Sequence, residues 1–172
     1  MNELIEDIEL SFRLFEFSVR TMCYAELNKF DINLFGQDLQ LNLEKENVSY
    51  PSGGFVSEKD IVMVSQMAVG AAFGSTAICL DRALENYSSN EPDIKTLMSL
   101  ITAVRNAFSH GIAAPAWYVK EHRREELNLN FVQGPIVNLD ALNGQPFEYT
   151  QIGGLAVWYR IKNYVISEIS ST

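Results

Sequence analysis

The chain has 172 residues, 47% of them hydrophobic and 20% charged, which excludes an extended disordered protein and suits one compact domain with a real core. Thirteen basic residues against 22 acidic ones give a formal charge of -9, a poor balance for a simple nucleic-acid binder; contact with RNA would require a local basic patch or a basic partner. Glu3, Glu6, Asp7 and Glu9 stand where a signal peptide needs positive charge and an apolar run, so secretion is not expected and the sequons at Asn47 and Asn86 carry no meaning.

A first helix is predicted over residues 3–27, where Ile5, Ile8, Phe12, Phe15, Val19 and Met22 recur at steps of three and four. From 28 to 56 the periodicity fails and Gly36, Pro51, Gly53 and Gly54 collect, with Leu39 to Leu43 alternating as a short strand does. Gly53-Gly54 lacks the Gly-Lys-Ser or Gly-Lys-Thr that a phosphate cradle needs, so it reads as a plain turn in a long, functional or mobile connection. Ser57 with Asp60 resembles a capping box and opens a second helix over 58–86. Residues 61–80 of that helix carry no charge and are long enough to span a bilayer. Ser65, Gln66, Ser75 and Thr76 within the run, and flanks without a basic excess, favour a buried central helix over a membrane span. Its Gly70, Ala71, Ala72, Gly74 and Ser75 would let a neighbouring helix, or a second subunit, approach closely.

Asn90-Glu91-Pro92-Asp93 starts a third helix over 92–109, with Ile94, Leu97, Met98, Ile101 and Val104 as its core stripe and Lys95, Thr102 and Arg105 off it. Gly111 and Pro115 end it. Leu127 to Phe131 and Ile136 to Leu139 then alternate as strands about a Gly134-Pro135 turn, and 145–150 adds a third short strand. Gly153-Gly154 leads into a last, aromatic-rich helix over 154–169, with Val157, Trp158, Ile161, Tyr164, Val165 and Ile169. The fold expected is mostly α: a single domain over 1–172, four helices in one bundle with a small β-rich insertion at 127–150 before the last. Cys23 and Cys79 lie among apolar residues at helical spacing and read as free buried thiols; no metal cluster and no cofactor motif is visible.

The strongest functional clue ends the third helix: Arg105-Asn106-Ala107-Phe108-Ser109-His110-Gly111. Arginine with histidine a few positions later is common by chance, but Asn directly after Arg, with four residues between Arg and His, arises in roughly one chain of this length in a hundred. The stretch Leu100 to Gly111, an apolar helix closing on Arg-Asn, three residues and then His-Gly, resembles the signature of the HEPN superfamily, with Pro115 and Trp117 fitting more weakly.

That resemblance, carried by about a dozen residues, implies an up-and-down four-helix bundle, in agreement with the helix count, with the 127–150 segment as an elaboration. It also implies metal-independent RNA cleavage in many members, two subunits pairing so that both motifs face one cleft, and a cytoplasmic setting in toxin and antitoxin pairs or phage defence. The chemistry is intelligible: a ribose 2′-hydroxyl attacks the adjacent phosphate, which needs a proton acceptor, a proton donor and positive charge where negative charge builds. Histidine, with an ordinary pKa of about 6.5, suits the proton transfer, a task that falls to His110. Arg105 offers a planar fork for phosphate, Asn106 orients the histidine or caps the helix end, and Ser109 is a further phosphate contact.

Each residue has a plainer explanation. Arg105 can satisfy the last helix carbonyls, and His110 before Gly111 can be an ordinary capping residue. Lys120 to Glu126, which holds His122 with Arg123 and Arg124, reads as a solvated loop or helix turn, although the two arginines could supply local positive charge. Trp117, Tyr118, Trp158, Tyr159 and Tyr164 can stack bases or pack the core. Two functions therefore stand: a homodimeric, metal-independent endoribonuclease acting on RNA, paired with an antitoxin protein, or a catalytically silent HEPN-like module that binds a partner protein or nucleotide. The first predicts Arg105 and His110 in one open, locally positive groove; the second allows them to be buried or pinned by carboxylates.

Overall fold

The computed structural model describes residues 3–85, 87 and 91–171, and the chain in it is mostly α-helical. Four long helices, α1 (Glu3–Glu26), α3 (Glu58–Glu85), α4 (Pro92–Ser109) and α6 (Gly154–Ser170), are joined by shorter elements: α2 (Ile32–Phe35), β1 (Leu39–Asn42), β2 (Asn47–Tyr50), β3 (Glu126–Asn128), β4 (Ile136–Asn138) and α5 (Leu139–Leu142). The four predicted helices lie where periodicity, and for the second the capping box and the uncharged run, put them; Asn86, the predicted end of the second, and Asn90, at the predicted start of the third, fall outside the described residues. Contacts divide the chain into two compact units, Met1–Phe15 with Gly70–Thr172, and Glu16–Val69, so that α1 and α3 each contribute to both.

The larger unit is built on aromatic packing. Ile8, Phe12 and Phe15 of α1, Phe73, Ala77 and Leu80 of α3, the Ile94 to Phe108 stripe of α4, and Val157, Trp158 and Ile161 of α6 are buried together. Phe73 is the hub: its ring meets Phe15, Phe108, Phe147, Tyr149 and Trp158 at centroid distances of 4.8 to 5.7 Å. Edge-to-face and tilted pairs of this kind add to the area term of burial. The Trp158 indole N–H donates to the Thr76 hydroxyl at 2.8 Å, which gives the polar atoms of both side chains a partner inside the core. Gly74 makes the α3–α4 approach possible, since a Cβ there would stand 3.0 Å from Phe108 Cβ. Gly74 and the buried Ala72 therefore serve packing within one subunit, while Ala71 is exposed.

The segment before α6 departs from the β-rich expectation. Two three-residue strands pair antiparallel, Leu127 opposite Val137, but the rest of 127–150 is short helical turns joined by irregular loop, and the strand expected at 145–150 is one bridge from Pro146 to Ala116 followed by a 3-10 turn at Tyr149–Ile152. A strand of three residues has too few ladder bonds to hold alone; Leu127, Leu129, Val132, Val137, Leu139, Phe147 and Ile152 instead anchor the segment by burial. Gly153 is needed where α6 begins: at φ 87°, a Cβ would fall 2.5 Å from Val157 Cγ2.

In the smaller unit, β1 and β2 form an antiparallel hairpin with Leu41 opposite Val48, where the sequence had suggested only the first of the two strands. Among the described residues one helix, α3, is long and apolar enough to cross a membrane by length and composition. In the larger unit its Ala72, Phe73, Ala77, Leu80 and Leu84 are core while Ile78 is exposed, and Met63, Val64 and Met67 are exposed as well. The cysteines depart from expectation as well: Cys23 is exposed, its position on α1 lying between the buried Ser18 and Ala25 but off their stripe, and Cys79 is half-buried, with its thiol pushed up in pKa chiefly by burial.

At the start of α3 the capping box forms as read. The Asp60 carboxylate accepts from the Ser57 N–H at 2.8 Å and its hydroxyl at 2.8 Å, and the Asp60 N–H points back at Ser57 Oγ, 3.3 Å away. The Ser57 hydroxyl bond, ahead of the backbone bonds, holds the Asp60 carboxyl below its ordinary pKa. A depressed folded pKa means that this stabilisation is complete above the ordinary carboxylate range and is lost as pH falls through the lowered value. Amide exchange in the first turn of α3, compared with the exchange expected of an unprotected chain at each pH, should therefore lose protection on acidification, and Asp60→Asn should flatten that pH dependence; the same acid loss in both proteins would refute the assignment.

Candidate functional site

Arg105 lies in the last turn and a half of α4, off the buried stripe, about one third exposed. Its guanidinium does not reach for the helix-terminal carbonyls. It pairs with Asp81 of α3, a carboxylate that is 4% exposed and also accepts the Thr102 hydroxyl at 2.8 Å. Nη1 lies 3.8 Å from the exposed carboxylate of Glu85 as well, and Nη2 makes a long contact of 3.4 Å to Asn106 Oδ1. A buried carboxylate without such partners would be strongly destabilising, so α4 supplies an arginine and a hydroxyl, three residues apart on one face, to the one acidic group that α3 carries into the core. Asp81 is the site residue that the sequence reading missed; it is the first charge after the uncharged run 61–80, and that position was its only signal.

The other motif residues diverge. The Ser109 hydroxyl donates to the Asn106 carbonyl at 3.0 Å, which satisfies the helix end. His110 is the α4 C-cap residue, with φ -94° and ψ -14°, is exposed, and packs edge-on against Tyr118 with ring centroids 5.0 Å apart. Among the described residues no hydrogen bond joins His110 to Asn106 or to Arg105, so the orienting role expected of Asn106 toward His110 is not made within one chain. Five residues along a helix turn a side chain about 140° around the axis, and this separates Arg105 from His110.

A groove of about 220 Å³ runs between α3 and α4, lined by Gly74, Ser75, Ile78, Arg105, Phe108 and Ser109 among others. Arg105 and Ser109 share it, and His110 is not among its walls. Nor are Arg123 and Arg124: Lys120 to Glu126 is a 3-10 turn running into β3, and Arg124 is directed to the Val119 carbonyl at 3.4 Å and toward Asp140 at 3.8 Å. With Asp81 and Glu85 both near Arg105, the groove has no surplus of positive charge among the described residues. The aromatics divide likewise. Trp117 and Trp158 are buried with their N–H groups bonded to Gln151 and Thr76, while Tyr118 is exposed beside His110. Among the described residues no cluster of three or more His, Cys, Asp or Glu is placed to hold a metal ion.

Comparison with known proteins adds no relative: no family model, no curated protein and no solved structure matches the chain.

The Asp81–Arg105 pair has a measurable consequence. Arg105→Ala should cost about 2 kcal/mol in urea denaturation, less than the loss typical of a fully buried pair because water partly replaces the guanidinium. Adding Asp81→Asn should restore part of that loss, because the stranded charge is gone. Strictly additive losses in the two single variants and the double variant would contradict the pairing.

Proposed function

We propose that this protein is a metal-independent endoribonuclease of the HEPN type, working in the cytoplasm as a homodimer whose two α4 ends face one cleft, as a toxin or phage-defence component held in check by an antitoxin protein. The observation that carries the reading is the end of α4, where the Arg105-Asn106-x-x-x-His110-Gly111 pattern sets a guanidinium oriented by Asp81 at a groove rim and leaves an imidazole exposed at the cap. An arginine already held along one side loses little freedom on accepting a phosphate along the other. In cleavage, a 2′-hydroxyl loses its proton to a base as its oxygen attacks phosphorus, and the bond to the 5′-oxygen breaks as that oxygen is protonated. The products are a 2′,3′-cyclic phosphate and a 5′-hydroxyl. Arg105 faces the charge on the phosphorane and His110 moves the proton; since His110 does not line the groove of its own chain, the histidine at each groove comes from the second copy. The described helices, α1, α3, α4 and α6, are consistent with the bundle that this reading requires.

A second reading has its own support. Asp81 and Glu85 beside Arg105, with the chain's charge of -9, suit a catalytically silent HEPN-like module that binds a partner protein or nucleotide. Purified protein in EDTA with mixed RNA separates the two. The first reading expects cleavage by the parent, a drop of about a hundredfold or more in His110→Ala, and a comparable drop in Arg105→Lys, which keeps a cation against Asp81 and so keeps the fold. Cleavage that survives in His110→Ala, or no cleavage by a dimeric parent on any RNA, would refute the nuclease.

A further inference from the structure

The smaller unit holds a cleft that the α4 motif does not explain. The turn of α2, the β1–β2 hairpin and the 51–55 loop enclose about 510 Å³, within the range of small-molecule sites. Phe35, Leu39, Tyr50, Pro51 and Phe55 form its walls, and among the described residues none that lines it is charged, in a chain whose composition is 20% charged. The walls are fixed by more than the loop. Phe35 stands edge-on to Phe55 at 4.9 Å and to Phe30 at 5.5 Å. Gly36 lets the α2 turn close on the loop, since a Cβ there would lie 3.0 Å from the Phe55 carbonyl oxygen. The Ser52 N–H, which would otherwise offer a donor beside the cleft, is taken by the Asp38 carboxylate at 2.5 Å.

We propose that this cleft binds an uncharged, largely aromatic or apolar small molecule. Phe35, Leu39 and Tyr50 remain 45%, 53% and 55% exposed, so apolar area is left for a ligand to cover. A charged ligand would lose its hydration with no opposite charge in the lining to replace it. An extended peptide would bring backbone donors and acceptors that a wall of aromatic rings does not satisfy. Gln37 and Ser52 give the polar side-chain contacts of a ligand with one or two polar groups. The site is independent of the α4 reading and stands or falls separately.

The test uses Nile red, an uncharged aromatic dye, titrated into the whole chain. The parent should bind one equivalent saturably, with a dissociation constant in the micromolar range (about 1–10 μM). Ser52→Trp fills the cleft while adding apolar surface, and it keeps the Ser52 N–H. Gly54→Leu fills it from a position where a Cβ meets nothing within 4 Å, so at least one filled variant should fold. A folded filled variant should bind at least about tenfold more weakly. Equal or tighter binding by a folded filled variant would mean that the dye reads exposed apolar surface, and would overturn the proposal. So would a parent that fails to bind the dye and runs as a dimer that Ser52→Trp dissociates, because a second copy would then cover the cleft.

Discussion

Much of the larger unit follows from one buried carboxylate. Asp81 is the one charged side chain that α3 buries, and a charge at that depth has to be answered by the neighbouring helix. Thr102 and Arg105 answer it, which fixes both the register of α4 against α3 and the direction in which Arg105 extends. Closer to the middle of α3, Gly74 seats Phe108, and Thr76 receives the Trp158 indole, so the same helix sets its neighbours by a polar clamp, a steric notch and a buried hydrogen bond. The hydrophobic effect supplies most of the driving force here; these three contacts decide which packing it stabilises.

For function, the clamp acts in two directions. It pre-orients Arg105, which favours a transition-state role, and it neutralises that arginine, which weakens attraction for RNA in a chain already acidic overall. A nuclease built this way depends on what a second copy brings to the groove, and a silent module does not. The arginine also carries structural weight, so loss of activity on its truncation to alanine is ambiguous by itself, whereas the lysine variant keeps the ion pair and separates the two roles.

Three of the long helices were legible from their periodicity, with Pro92 marking the start of α4; α3, apolar on most sides, was legible from its Ser57–Asp60 cap and its uncharged length. The β1–β2 hairpin was half read: β1 shows in the alternation of Leu39, Leu41 and Leu43, whereas β2 is only four residues long, with Val48 and Tyr50 alternating with Asn47 and Ser49 over too short a run to stand out. The segment before α6 was given too much strand, because alternation over three residues does not distinguish a strand from a 3-10 turn with one buried side chain. In the site, the motif and its place at a helix end were legible. The Asp81–Arg105 pair was not, because it depends on the rotation of one helix against another 24 positions away. The separation of His110 from the groove, by contrast, was open to reading, since five residues on a helix do not share a face.

The central claim is that Arg105 is committed to Asp81 and still available to phosphate. Its guanidinium N–H resonances, followed by ¹⁵N-edited NMR with and without a 2′-methoxy RNA oligomer that cannot be cleaved, test both halves at once. The account predicts slowly exchanging Arg105 signals in the free protein that shift on titration together with the His110 ring signals. Arg105 signals lost to fast exchange in the free protein, or unmoved at saturating oligomer, would contradict it.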